Sequence, residues 1–197
     1  MKAGSFIVAA AVTGLANAMT PPGVFPVNTE NMTVFFDTSV LATNGVNIPK
    51  DNTKIAPTLA LDRMLTGRTF AVVMIDPDTP ATGVGGNGTN SLIHWFQDGF
   101  TSSSSSVTVA GKTVVPLVNV ANTTAIQAYL QPQSGPANGQ THRYTQFLID
   151  TTNVTTFNVD PSLKNATKTR SGFDMAKFVT EANVQVLSAN WFNVTAT

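Results

Sequence analysis

Cysteine is absent from this 197-residue chain, which removes disulfide bridges, thiolate nucleophiles and thiolate metal sites at once. Charge is scarce. Eleven basic and eleven acidic residues cancel, and together they make 11% of the chain, against roughly 25% in an ordinary globular protein. No Lys or Arg cluster offers the basic face that a phosphate backbone requires, so a nucleic-acid partner is excluded. Histidine is limited to two residues. There is no Gly-x-Ser-x-Gly elbow and no His-Glu-x-x-His helix, so the common hydrolase and zincin signatures are missing. No apolar run reaches membrane-spanning length. The fold must therefore depend on burying apolar side chains, which a chain of this size can do without cross-links. Asn, Thr and Ser supply the polar surface.

The strongest pattern lies at 70–80. Phe70-Ala71-Val72-Val73-Met74-Ile75 reads as a strand buried on both faces, and it stops in Asp76-Pro77-Asp78-Thr79-Pro80. The two prolines fix φ and remove donors, so the acids ride on a stiff turn. Carboxylates at the mouth of a core strand need partners. Both histidines lie downstream in similar settings, His94 in Leu92-Ile93-His94-Trp95-Phe96 and His142 in Thr141-His142-Arg143-Tyr144. The three segments are expected to converge on one pocket, with Asp78 and Arg143 forming a buried structural pair between strands. Asp76, His94 and His142 also suit a two-histidine, one-carboxylate metal site, and a histidine could act as a base in hydrolysis. Without a nucleophile motif, no catalytic residue, metal or cofactor is assigned.

Lys2, the apolar stretch Phe6 to Leu15 and the small residues Ala16-Asn17-Ala18 have the form of a secretory leader. A signal peptide over 1–18, a single mature domain over 19–197 and an extracellular location are expected. Asn31, Asn87, Asn122, Asn153, Asn165 and Asn193 each open an Asn-x-Thr triplet and are candidate glycosylation sites. A chain rich in Asn and Thr makes such triplets by chance, so only some are expected to carry sugar.

In chain order, short strands are expected at Thr33 to Phe36 and at Val46 to Ile48, with Asn44-Gly45 as the turn between them. Others are expected at Pro57 to Leu61, Leu92 to Gln97, Val114-Val115, Ala125 to Leu130, Phe147 to Ile149 and Val184 to Val194. The glycine-rich 81–91 and the Gly/Pro-rich 132–139 read as loops. One helix stands out: Asp174 caps it, and Met175, Phe178, Val179 and Ala182 recur at helical spacing. Many short strands with one late helix indicate a mainly β, antiparallel architecture.

Taken together, Asp76-Pro77-Asp78-Thr79-Pro80, Ile93-His94-Trp95 and Gly139 through His142-Arg143-Tyr144 resemble the three ordered motifs of the phosphatidylethanolamine-binding protein family, and within it the secreted fungal members. The resemblance covers about 25–197. It implies a β-sandwich with a large antiparallel sheet on a smaller one, peripheral helices and a small anion pocket. That pocket would be lined by Asp76, His94, His142 and Tyr144 and walled by Pro77, Tyr129 and Pro132. Imidazole N–H groups and the Tyr144 hydroxyl would donate to the phosphoryl oxygens of a phospholipid head group or other small anion. A monomer without a transmembrane segment is expected. The family also contains inhibitors of serine carboxypeptidases that act through surfaces outside the pocket, which is the competing reading.

Overall fold

The computed structural model describes residues 19–37, 39–79, 91–133 and 140–195. Residues 1–18, where a leader was expected, Pro80, the glycine-rich 81–90 with Asn87, and 134–139 lie outside the described residues. The elements are β1 (Thr33–Phe36), β2 (Val40–Ala42), β3 (Thr58–Leu61), β4 (Phe70–Asp76), β5 (Leu92–Ser102), β6 (Val107–Val109), β7 (Lys112–Val118), β8 (Thr141–Asp150), α1 (Pro161–Thr169), α2 (Met175–Glu181) and β9 (Gln185–Thr195), with a 3-10 turn at Lys50–Thr53. Every described strand pairing between these elements is antiparallel. None of the described helices is long and apolar enough to cross a membrane.

The large and small sheets implied by the family resemblance are two halves of one ladder, ordered β2-β1-β3-β7-β5-β4-β8-β9, with β6 attached to β7. The halves meet through β7, which pairs with β3 at Val115 and Pro116 and with β5 at Leu117 and Val118. The ladder folds back at that point. Val34, Phe36, Leu59 and Leu61 from the small half pack on Phe70, Val72, Met74, Leu148 and Phe192 from the large half. On the other side of the large half, Ala71, Val73, Ile75, Phe147 and Ile149 are covered by Leu163 and Ala166 of α1 and Met175 and Phe178 of α2. Strand β4 thus feeds alternate side chains into two cores, and all seven of its residues are buried.

The edge of β9 is covered by irregular chain. Met32 N donates to Ala189 O (3.1 Å) and Ala189 N to Glu30 O (2.9 Å), while Ile48 N reaches Asn193 O (2.8 Å) and Asn193 N reaches Val46 O (2.7 Å). The strand expected at Val46 to Ile48 is this cover, with one isolated bridge, Asn47 to Asn193. Strand β1 lies between β2 and β3, so Asn44-Gly45 does not turn it back onto Val46 to Ile48; Gly45 turns with φ +79° beneath the Trp191 ring. Asn193, another of the candidate glycosylation sites, is half-buried, and its Nδ2 donates to Gly45 O at 3.0 Å. Asn31, Asn122, Asn153 and Asn165 are exposed.

Helix α2 is where it was expected, with Asp174 accepting from Lys177 N at 2.9 Å. Helix α1 is one of the peripheral helices that the resemblance implied, but the residue pattern did not place it. Its start is nevertheless written locally: Asp160 caps Leu163 N at 2.9 Å and Pro161 occupies the first turn, where its missing N–H costs nothing. Asn165, Thr167 and Thr169 are poor helix formers and hide the element from periodicity.

Candidate functional site

The site is built where β4 ends against β8. Beyond Ile75, which pairs with Thr145, the chain turns at Pro77. Asp76 Oδ1 accepts from Asp78 N at 2.8 Å, closing an Asx turn. Asp76 Oδ2 accepts from His142 Nδ1 at 2.7 Å. The next acid is clamped by the next residue of β8: Arg143 N reaches Asp78 Oδ2 at 2.8 Å, its Nε the same oxygen at 2.9 Å and its Nη2 the other at 2.6 Å. Arg143 Nη1 also holds Pro22 O at 2.7 Å, strapping the N-terminal segment to the site. The expected Asp78–Arg143 pair is therefore present, but it is half-exposed rather than buried, with side chains 23% and 30% accessible. Burial pushes the Asp78 carboxyl up, and the hydrogen bonds and charge of Arg143 more than reverse this, leaving it below the usual carboxylate range. Asp78 in turn raises Arg143.

His94 arrives by a register fault. Met74 pairs with Trp95 and Ile75 with Ile93, so one step on β4 spans two on β5 and His94 is the extra residue of a β-bulge. Ile93 packs into the helix-side core and Trp95 into the core between the halves. His94, between them, is set edge-on against the Tyr144 ring with centroids 4.9 Å apart. The bulge is buttressed by 127–130, which runs beside β5 without forming a strand. Phe96 and Gln127 exchange both backbone hydrogen bonds, Leu130 N donates to His94 O at 2.7 Å, and His94 Nδ1 donates to Leu130 O at 3.0 Å. The strand expected at Ala125 to Leu130 is this buttress.

Asp76, His94, His142 and Tyr144 thus come together from three strands, as the sequence motifs implied. The roles differ from expectation in two respects. A carbonyl and a carboxylate can only accept, so the Nδ1 hydrogens of both imidazoles are spent on Leu130 O and Asp76, and neither Nε2 has a partner among the described residues. The Tyr144 hydroxyl is also committed: it donates to Gln133 O and accepts from Gln133 N at 2.9 Å. Burial, followed by the Asp76 charge, pushes this phenol up, so it stays protonated. Burial holds His94 below its ordinary value, with the hydrogen bond to the Leu130 carbonyl and the charge of Asp76 acting against it and the charges of Arg170 and His142 adding to it.

Three members of the cluster are almost wholly buried. Asp76, His94 and Tyr144 are 1%, 2% and 0% exposed. His142 reaches a groove of about 500 Å³, lined also by Asp78, Gln140, Arg143, Trp191 and Asn193. Two of the expected walls are elsewhere in function. Tyr129 donates to Thr53 O at 2.8 Å and packs against Trp95, taking no part in the cluster's hydrogen bonds. Pro77 lines a separate cavity with Phe173 and Met175, because it follows Asp76 on the opposite face. Pro132 is buried next to Gln133, which Tyr144 holds. Among the described residues no group of three or more His, Asp or Glu side chains is arranged to hold a metal ion. The residues that sequence reasoning missed are the backbone partners Leu130 and Gln133, and Arg170.

Comparison with known proteins agrees with this fold. The family model described as phosphatidylethanolamine-binding protein matches residues 38–192. Phomoidride biosynthesis cluster protein N of Talaromyces stipitatus is 28% identical, over 98% of this chain and 98% of its own length. Among solved structures, carboxypeptidase Y inhibitor complexed with its cognate proteinase superposes with a TM-score of 0.60 at 15% identity, covering 87% of this chain and 86% of that one. The phosphatidylethanolamine-binding protein of Plasmodium vivax gives 0.58 at 16% identity, over 89% and 92%.

Proposed function

This chain belongs to the phosphatidylethanolamine-binding protein family, and from that premise we propose that it is a secreted, non-catalytic binding protein whose Asp76–His94–His142–Tyr144 cluster takes a small anion of the phospholipid head-group kind. The observation that carries the reading is the state of the two imidazoles: each has its Nδ1 fixed by a protein acceptor, and neither Nε2 has a partner among the described residues. Protonated at Nε2, both become donors to phosphoryl oxygens, while Asp76 orients one ring and the Tyr144 hydroxyl secures the wall at Gln133. A free phosphate ester and a lipid head group satisfy the same donors.

Phosphoethanolamine titrated calorimetrically into the mature protein at pH 5.5, with Met19 verified as its first residue by mass spectrometry, is expected to bind with Kd below about 1 mM. His94→Ala and His142→Ala should each abolish that binding. Absence of heat in the unaltered protein would defeat the reading, and flotation with phosphatidylethanolamine vesicles separates a lipid source from a free ester.

A second reading is favoured by the fold shared with a carboxypeptidase inhibitor and by Phe25 and Val27, which stand 60% and 59% exposed on the N-terminal segment. Here the protein blocks a serine carboxypeptidase through that segment, outside the cluster. A serine carboxypeptidase assayed with micromolar protein should lose activity, and Phe25→Ala should restore it. Undiminished activity removes this reading.

A further inference from the structure

Arg170 is the residue through which the C-terminal end of α1 meets the His94 bulge. It ends the helix in the left-handed region, φ +68°, a conformation that favours glycine, and yet it carries a long side chain. Its backbone carbonyl accepts from Ile93 N at 2.8 Å. Its guanidinium returns to the same strand, with Nη1 donating to Ile93 O at 3.1 Å and Nη2 to Ala128 O at 2.8 Å. Ile93 precedes His94, and Ala128 lies in the buttress whose Leu130 carbonyl fixes the His94 ring. Both walls of the bulge are thus joined by one planar fork, and no carboxylate among the described residues is paired with it.

We propose that Arg170 is a positioning residue: it locks the bulge on β5 to the 127–130 buttress, and so sets the orientation and tautomer of His94 in the anion site. Two carbonyls on different segments are spanned by the fork at fixed separation, which a single ammonium cannot do. Without it, the span between Ile93 and Ala128 rests only on the backbone bonds at Phe96–Gln127 and His94–Leu130, the Leu130 acceptor can shift from Nδ1, and the ring can exchange to the Nε2–H tautomer. The charged and titratable groups acting on His94 are Asp76 from β4, His142 and Tyr144 from β8, and Arg170 itself. The inference rests on the function proposed for the cluster, but its structural half can be read without ligand.

Arg170→Gly removes the fork while giving the left-handed position the residue it favours, so the fold should survive, as backbone amide spectra of α1 and the large sheet would verify. In ¹H–¹⁵N imidazole correlation spectra the unaltered protein should show His94 as a single Nδ1–H tautomer. Arg170→Gly should show a mixture, with His142 unchanged, and sulfate affinity at pH 5.5 should fall about threefold to tenfold. Arg170→Lys, which keeps the charge and loses the span, should also mix the tautomers. A wild-type His94 spectrum in both variants overturns the proposal. If the unaltered protein does not bind sulfate, the anion reading fails while the tautomer measurement still decides the clamp.

Discussion

Replacing His142 by alanine is expected to lower the free energy of unfolding by about 3 kcal/mol and to eliminate anion binding. The first effect follows from Asp76, which is 1% exposed and uses His142 for one oxygen and Asp78 N for the other. Removing the imidazole strands a buried carboxylate with half its partners, and breaking such a pair from one side costs about 3–5 kcal/mol. The lower end applies because His142 touches the solvent groove, through which water can enter. His142→Gln separates the two effects: a side-chain amide can still donate to Asp76, so most of the stability should return, whereas an amide cannot take the proton that an anion requires. Urea denaturation of the three proteins, with phosphoethanolamine titrations alongside, measures both quantities.

Anion affinity should rise as pH falls from 8 to 5. Burial keeps His94 neutral below its ordinary value of 6.5, and its bare Nε2 repels an anion's oxygens until it is protonated. Binding must therefore draw a proton onto the ring. Linkage then makes log K climb by up to about one per pH unit for each proton taken up. Sulfate is the appropriate probe, since its own charge is constant over this range. Calorimetry in two buffers of different ionisation enthalpy should show proton uptake at pH 7, and a pH-independent affinity would exclude protonation at either imidazole. The same shift acts on folding with a definite sign. Because the folded-state value is lowered, the unfolded chain takes up its proton first, so the ligand-free protein loses stability as pH falls below about 6.5 and continues to lose it down to the folded-state value. Sulfate should reduce that loss.

The parts of this site that were legible in the sequence are those whose chemistry is local. Asp76 and Asp78 sit at the end of a six-residue apolar run, and prolines announce the turn that carries them. Their pairing with His142 and Arg143 follows from two charges seeking partners at the start of another strand. What escaped is set by register. Nothing in Leu92-Ile93-His94-Trp95 declares that His94 will be the unpaired residue of a bulge, because that depends on how β5 aligns with β4. The spent Nδ1 of His94 and the occupied Tyr144 hydroxyl depend likewise on backbone carbonyls at Leu130 and Gln133, far along the chain and without side-chain signature. The segment 125–130, apolar but for Gln127, reads as a strand, yet it meets β5 in a single bridge at Phe96 and Gln127. Helix α1 is a different case, since Asp160-Pro161 marked its start and only its polar composition obscured it.

The cover along β9 also bears on how the molecule behaves in a crowd. Backbone groups left open at the margin of a sheet invite a foreign polypeptide to add itself, and nature commonly deters this with lysines or by strand closure. This chain, with 11% charged residues, has few lysines to spend. The segments lying hydrogen-bonded along β9 at Glu30, Met32, Val46 and Ile48 occupy that margin instead, and the opposite terminus of the ladder is β2, only three residues long. Self-templated aggregation is thereby discouraged by backbone already in place, and loosening the 45–48 segment would be the quickest way to uncover it.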